Sequence, residues 1–184
     1  MSPAKEKQTI GQPVTTFSLP LLGGQGSRSL SDYLTGKRGA VVVFWSGICS
    51  HCLRYDEYLN SFASRHPELG IVTIASRHGE TPELISKTIA ERNLKFPILY
   101  DTGSKVAKEW YTQQTPRVFL IDSNGILQYR GAIDNFKSHD DAEYVEYLEP
   151  AISQFLGGQS ITKPETASFG CAIMSVYYIL PKAL

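Results

Sequence analysis

The chain has 184 residues, 42% of them hydrophobic and 20% charged, which suits one domain with a substantial core and an ordinary globular composition. Its 18 Lys plus Arg balance 18 Asp plus Glu with no basic stripe, so charge gives no ground for a nucleic-acid or anionic membrane partner. No apolar run approaches the roughly 18 residues of a spanning helix, and residues 1–11 lack the apolar centre of a signal peptide. No membrane insertion and a cytoplasmic location are therefore expected; the alternative is a mature exported domain whose signal has been removed. Three cysteines do not make a disulfide scaffold in a chain of this length, whereas a close pair plus a distant Cys171 fits a redox motif.

In chain order, residues 1–12 read as a flexible N-terminal arm. Pro13 to Pro20 alternates weakly and Leu22-Gly23-Gly24-Gln25-Gly26 turns, which predicts a short hairpin. Ser29-Leu30-Ser31-Asp32-Tyr33-Leu34 is a capped short helix, and Gly36-Lys37-Arg38-Gly39 leads into a continuous β-branched run, Val41-Val42-Val43-Phe44-Trp45. That run stops at Ser46-Gly47, and Cys49-Ser50-His51-Cys52 follows at the head of an amphipathic stretch reaching about His66.

A buried strand, a tight turn and a helix whose first turn carries two cysteines form a redox device. Unpaired N–H groups and the positive end of a helix stabilise a thiolate at its N-terminus. Cys49 is expected as an exposed nucleophile of low pKa, with Cys52 placed to close a disulfide with it. No metal and no cofactor beyond that redox-active disulfide are expected. Half of a zinc site is the bland reading of such a pair, but no second C-x-x-C or H-x-x-x-H is present; inert buried cysteines are the other. His51, inside the pair, is expected to favour the reduced form and make the dithiol more oxidising, against the reading of a solvated helix residue.

Further on, Ile71-Val72-Thr73-Ile74-Ala75 is a second buried strand, and Thr81-Pro82 opens a helix to about Asn93 with an N-cap and a proline at its first position. Phe96 to Asp101 is a short extended piece and Ser104 to Tyr111 a short helix. Strands alternating with helices predict parallel pairing with both faces covered. Val118 to Asp122 and Ile126 to Arg130 flank Asn124-Gly125, a hairpin signal, so the sheet should end antiparallel. A last helix is predicted from about Asp140 to Phe155, with Tyr144, Tyr147, Leu148, Ile152 and Phe155 as its core stripe. The organisation expected is arm 1–12, domain 13–158, and tail 159–184 packing on the domain.

Phe44 to Cys52, Thr115-Pro116-Arg117-Val118-Phe119-Leu120-Ile121-Asp122, Gly125 and Gly131 together resemble the redoxin (AhpC/TSA-type) branch of thioredoxin-like thiol-disulfide oxidoreductases. The ending, with Gly131-Ala132-Ile133-Asp134-Asn135, Ser138-His139-Asp140 and a Thr-x-x-x-Gly-Cys-x-Ile segment from Thr166 to Ile173, resembles one bacterial subgroup. The resemblance implies an α/β thioredoxin-like fold: a central mixed β-sheet with helices on both faces and an N-terminal β-hairpin extension. It implies thiol-disulfide exchange with protein or small-thiol substrates and an upstream redox partner; a monomer is expected.

By the same resemblance Pro116 follows a cis peptide bond and packs against the Cys49 sulfur. The Thr115 backbone is then free to hold an extended substrate, with Trp45 and Ile48 as flanking residues and Trp45 an apolar lip. The plain alternative is a trans proline at a strand start. Val43 stands where thioredoxin carries a buried acid, leaving Asp56 and Glu109 as weak substitutes that more readily read as structural or solvated. Two other functions stay open. A thiol peroxidase has Ser46 three residues before Cys49 in its favour, and Val42 and the missing P-x-x-x-T-x-x-C pattern against it. A copper-binding thioredoxin-like protein would use both cysteines and His139. His66 and His78 read as exposed, and Cys171 as a small buried residue under the tail, with a relay thiol as its functional alternative.

Overall fold

The structure is a computed structural model that describes residues 8–174. Along the chain lie β1 (Ser18–Pro20), β2 (Ser27–Ser29), α1 (Leu30–Leu34), β3 (Gly39–Trp45), α2 (Ser50–Leu53), α3 (Asp56–Arg65) and β4 (Leu69–Ala75). These are followed by α4 (Pro82–Glu91), β5 (Ile98–Tyr100), α5 (Lys105–Glu109), β6 (Gln114–Thr115), β7 (Arg117–Asp122), β8 (Leu127–Gly131), α6 (Leu148–Leu156) and β9 (Cys171–Ala172).

Five strands form the central sheet in the order β5-β4-β3-β7-β8. β3 pairs parallel with β4 and antiparallel with β7, so the mixed sheet expected from the βαβ pattern and the Asn-Gly hairpin is present. At the hairpin, Gly125 takes a φ of +80°, and Asp122 Oδ1 accepts the Asn124 and Ile126 amides at 2.9 Å each. Val41, Val43 and Trp45 point to one face and pack with Leu59, Phe62, Ile85 and Ile152; Val42 and Phe44 point to the other and pack with Phe17, Ala107, Trp110 and Ile173. A strand buried on both faces reads as an unbroken apolar run because neither side meets water.

Both sheet edges are covered, which denies them to another chain. The β1–β2 hairpin lies along β5 through the Leu21–Leu99 bridge. Along β8 run residues 11–13 on one stretch and 164–166 on another. Of the expected flexible arm, residues 8–12 are therefore docked: Arg130 Nη1 donates to the Gln8 carbonyl at 2.6 Å, and Gly11 and Gln12 exchange hydrogen bonds with Leu127. Residues 1–7 of the arm and 175–184 of the tail lie outside the described residues.

Two helices differ from expectation. The cysteine stretch is two helices, α2 and α3, parted at Arg54 and Tyr55; Tyr55 caps α3, and its hydroxyl donates to buried Asp134 at 2.5 Å. The last helix begins at Leu148 rather than near Asp140, and Pro150 in its first turn accounts for that start, since proline is tolerated there and not further in. Residues 140–147 instead form turns held by Asn135, whose side chain bonds the Glu143 carbonyl and the Val145 amide. Among the described residues no helix is long and apolar enough to cross a membrane.

Candidate functional site

The site forms where β3 ends. Trp45 is the last strand residue, and Ser46-Gly47-Ile48 turns the chain so that Cys49, with extended backbone (φ −89°, ψ 115°), caps α2 and accepts the Cys52 amide on its carbonyl at 3.0 Å. The turn is clamped at Gly47. Its amide donates to Glu80 Oε1 at 2.6 Å and its carbonyl accepts Arg92 Nη1 at 2.7 Å. A Cβ at this position would sit 2.8 Å from Glu80 Oε1 and 3.1 Å from Trp45, so a side chain here would push the Glu80 carboxylate out of its place.

The cysteine pairing differs from the one expected. Cys49 is joined by a disulfide to Cys171, 122 residues away, and Cys52 is the free, buried thiol. Cys49 is thus not exposed; with Cys171 over it, it is 1% accessible. Burial pushes the Cys52 thiol up to about 12, against hydrogen bonds from the Ser46 backbone and Thr115 side chain, while the nearby Glu80 charge adds to the rise.

Cys171 arrives on β9, which pairs antiparallel with β6 in the register Thr115↔Cys171 and Gln114↔Ala172. Thr115 precedes Pro116 through a cis peptide bond, as the resemblance implied, and its carbonyl oxygen is 3.4 Å from Cys49 Sγ. The strand is seated on both sides: the Ile173 amide donates to the Gln113 carbonyl at 2.9 Å, and the His78 amide donates to the Ile173 carbonyl at 2.8 Å. His78 is therefore part of the seat of this strand rather than a plain loop residue.

His51 stands beside the sulfur pair, its Nδ1 3.6 Å from Cys171 Sγ and its ring 4.8 Å from that of Phe136. The Gly131 to Asn135 segment supplies the support. Asp134, 1% exposed, accepts from the Phe136 amide at 2.8 Å as well as from Tyr55, and Arg54 lies over the Phe136 ring.

The other anticipated residues divide. Ile48 is 49% exposed at the mouth and suits a contact surface, with Leu53 and Phe169 as further exposed apolar residues. Trp45 is no lip: it is fully buried, edge-on to Phe96 and under the Arg92 guanidinium, because β3 is buried on both faces along its whole length. Asp56 is engaged by Arg92 in a two-point ion pair, and Glu109 is exposed. The buried acid is Glu80, whose carboxyl is raised by burial against hydrogen bonds from Ser46 and the Gly47 and Ile48 amides. Its distance of 33 residues from Gly47 left no local pattern to find it by; only the turn just before the Thr81 helix cap hinted at a fixed position. The soft-ligand group is Cys49, His51 and Cys171, with ligand atoms within 4.8 Å of one another; His139 is elsewhere, against Tyr144. In the disulfide form the two sulfurs are bonded to each other.

Residues 10–130 match the AhpC/TSA family model. The thiol-disulfide oxidoreductase ResA of Bacillus cereus is 32% identical over 121 residues, which are 66% of this chain and 68% of that protein. The thiol:disulfide interchange protein DsbE of Escherichia coli is 27% identical over 130 residues, 70% of this chain and 68% of that one. Among solved structures, a hypothetical protein of Sinorhizobium meliloti is similar at a TM-score of 0.79 and 26% identity, covering 91% of this chain and 96% of the other.

Proposed function

The chain belongs to the AhpC/TSA family, and from that premise we propose the roles its residues play in disulfide exchange with protein chains. Its activity class is thiol-disulfide oxidoreductase, the name that the ResA relative carries, and the DsbE relative is named a thiol:disulfide interchange protein. The observation that carries the site reading is Cys49 at the cap of α2, bonded to sulfur on one side and backed by the free thiol of Cys52 one helical turn in.

Cys49 is the sulfur that exchanges with substrate. As a thiolate it attacks a substrate disulfide, forming a mixed disulfide and releasing one substrate thiolate; a second protein thiolate then attacks Cys49 Sγ and frees the other. The reverse sequence oxidises a substrate dithiol. Because α2 is a single turn parted from α3, thiolate stabilisation at Cys49 rests on the local amides and on His51 rather than on the dipole of a long helix. Cys52, inert as a thiol at neutral pH because of its burial, acts only when its proton has been taken. The raised carboxyl of Glu80 lies close enough for its charge to act on Cys52, which suits a proton acceptor for that step.

The Thr115 backbone edge already holds one extended segment, β9, and Ile48 is an exposed apolar residue of the same turn as Cys49, so the substrates we propose are cysteine-bearing segments of proteins that take that edge in its place. The test is insulin reduction with dithiothreitol as donor. Wild-type protein is expected to accelerate precipitation of the insulin B chain, and Cys49→Ser to abolish the acceleration; equal rates for the two would refute Cys49 as the exchanging sulfur.

A further inference from the structure

We propose that Cys171 is a third redox-active thiol, carried on a tethered strand that fills the substrate position beside Cys49, and that the oxidised protein passes its disulfide between Cys49–Cys171 and Cys49–Cys52. This rests on the oxidoreductase reading above and adds to it a residue and an internal step.

The strand is built for its seat. β9 lies antiparallel on β6, the same backbone edge assigned to an extended substrate, with Cys171 opposite Thr115. Gly170 approaches so closely that a Cβ would run into the Thr115 carbonyl oxygen. On the far side of the site, Ile173 is buried in the second core cluster and its two backbone groups are held by Gln113 and His78. Upstream, Thr166 Oγ1 accepts the Ala132 amide at 3.0 Å and meets Tyr129 Oη at 2.7 Å, and Gly131 faces it with no room for a side chain. A Thr-x-x-x-Gly-Cys-x-Ile segment whose Thr, Gly, Cys and Ile each have a defined contact is a fitted part, and the part it resembles is a bound substrate peptide joined to Cys49.

The two sulfurs of the disulfide differ in access. Cys49 and Cys52 are buried, whereas Cys171 is partly exposed with an imidazole nitrogen 3.6 Å away. The internal step balances without any outside oxidant. Cys52 loses its proton and its sulfur attacks Cys49 Sγ; the Cys49–Cys171 bond breaks; the electron pair leaves on Cys171 Sγ, which takes up a proton beside His51. One disulfide and one thiol exist before and after. An outside thiolate has Cys171, the less buried partner of the disulfide, as its point of entry, and attack on its Sγ expels Cys49 as the thiolate. The tethered strand thus connects the buried pair to outside thiols, and a protein substrate takes its place on β6 once Cys171 has been released.

Disulfide mapping of the full chain tests this. Wild type, Cys52→Ser and Cys171→Ser are equilibrated in graded glutathione buffers, quenched in acid, alkylated, digested without reduction and read by mass. Oxidised wild type is expected to give both Cys49–Cys171 and Cys49–Cys52 peptides, summing to one disulfide per chain, with the free thiol on Cys52 or Cys171. Cys52→Ser should give only the first linkage and Cys171→Ser only the second. If Cys171 is alkylated in every oxidised wild-type sample while Cys49–Cys52 forms, the proposal is overturned and the oxidoreductase reading stands. A wild type holding only Cys49–Cys171, unreduced across the buffers, makes that bond structural and also overturns it. If no linkage forms in any chain, both readings fall together.

Discussion

Thr115 and Cys171 are antiparallel strand partners, and the Thr115 carbonyl oxygen lies 3.4 Å from Cys49 Sγ. One backbone edge therefore positions both sulfurs of the disulfide, so what happens at Cys49 is read by whatever chain occupies β6. Three thiols with very different surroundings meet at that point: Cys49 at a helix cap, Cys52 buried behind it, and Cys171 on the side nearest solvent.

The burial of Cys52 sets a pH dependence. With its thiol pushed up to about 12, the thiolate fraction at pH 7 is on the order of one part in 10⁵, and it grows tenfold per pH unit until the pH nears that value. Conversion of Cys49–Cys171 into Cys49–Cys52 is expected to quicken roughly tenfold per unit between about pH 6 and about pH 9. Acid quenching at timed intervals followed by peptide mapping measures it. A rate that levels off instead would mean that Glu80 takes the Cys52 proton, and one that stays level in Glu80→Gln as well would show that Cys52 is not the attacking group.

His51 touches Cys171 rather than standing free in solvent. A positive or donating imidazole 3.6 Å from the sulfur favours the reduced, thiolate form and so makes the couple more oxidising. His51→Ala is expected to move the midpoint of the oxidised couple to more negative potential by ~30 mV, the equivalent of about 1.4 kcal/mol for two electrons. Phe136→Ala, which removes the ring that His51 packs on, should move it in the same direction by less. Glutathione titration gives both values, and an unmoved midpoint in His51→Ala would return the residue to a solvated role.

The order of strands and helices, the hairpin at Asn124-Gly125 and the redox turn were legible because each is written in neighbouring residues: apolar runs, Gly and Pro punctuation, and a C-x-x-C directly after a strand. What escaped is set by partners far apart in sequence. Glu80 meets Gly47 across 33 positions, Cys171 meets Cys49 across 122, and Tyr55, where α2 and α3 part, meets Asp134 across 79. Trp45 was misplaced for a different reason. In a strand buried on both faces no alternation reveals which side chain reaches the surface, and its position next to the site suggested a lip. Pro150 was a local signal for the late start of α6, overridden by the stripe of tyrosines ahead of it.

Glu80 offers a test in the folded state as a whole. Burial raises its pKa above the ordinary Glu value, so the native state holds the proton more tightly than the unfolded chain. The stability this contributes is fully present below the unfolded pKa and is lost as pH rises through the raised native value. Glu80→Gln, neutral at every pH and still able to accept the Gly47 amide, lacks that loss. The wild-type Tm minus the variant Tm should therefore fall as pH is taken from about 4 to about 7. Thermal unfolding of the two proteins across that range decides it, and a constant difference would mean that the carboxyl is solvated.

Gly131 carries the tail at a distance from the sulfurs. Its φ of +151° disfavours any side chain, and a Cβ would collide with Thr166, whose hydroxyl ties the segment before β9 to Tyr129 and to the Ala132 amide. Gly131→Ala is expected to cost at least about 1 kcal/mol in global stability by denaturant unfolding. Because the same contact seats the strand bearing Cys171, the reduced variant should also expose Cys49 more often. A local loss of about 1.4 kcal/mol in tail docking corresponds to a tenfold rise in Cys49 alkylation. Alkylation of reduced wild type and variant, read at Cys49 by peptide mass, separates the two effects: lower stability with unchanged Cys49 reactivity would mean that the tail holds its seat through Gly170 and Ile173 alone.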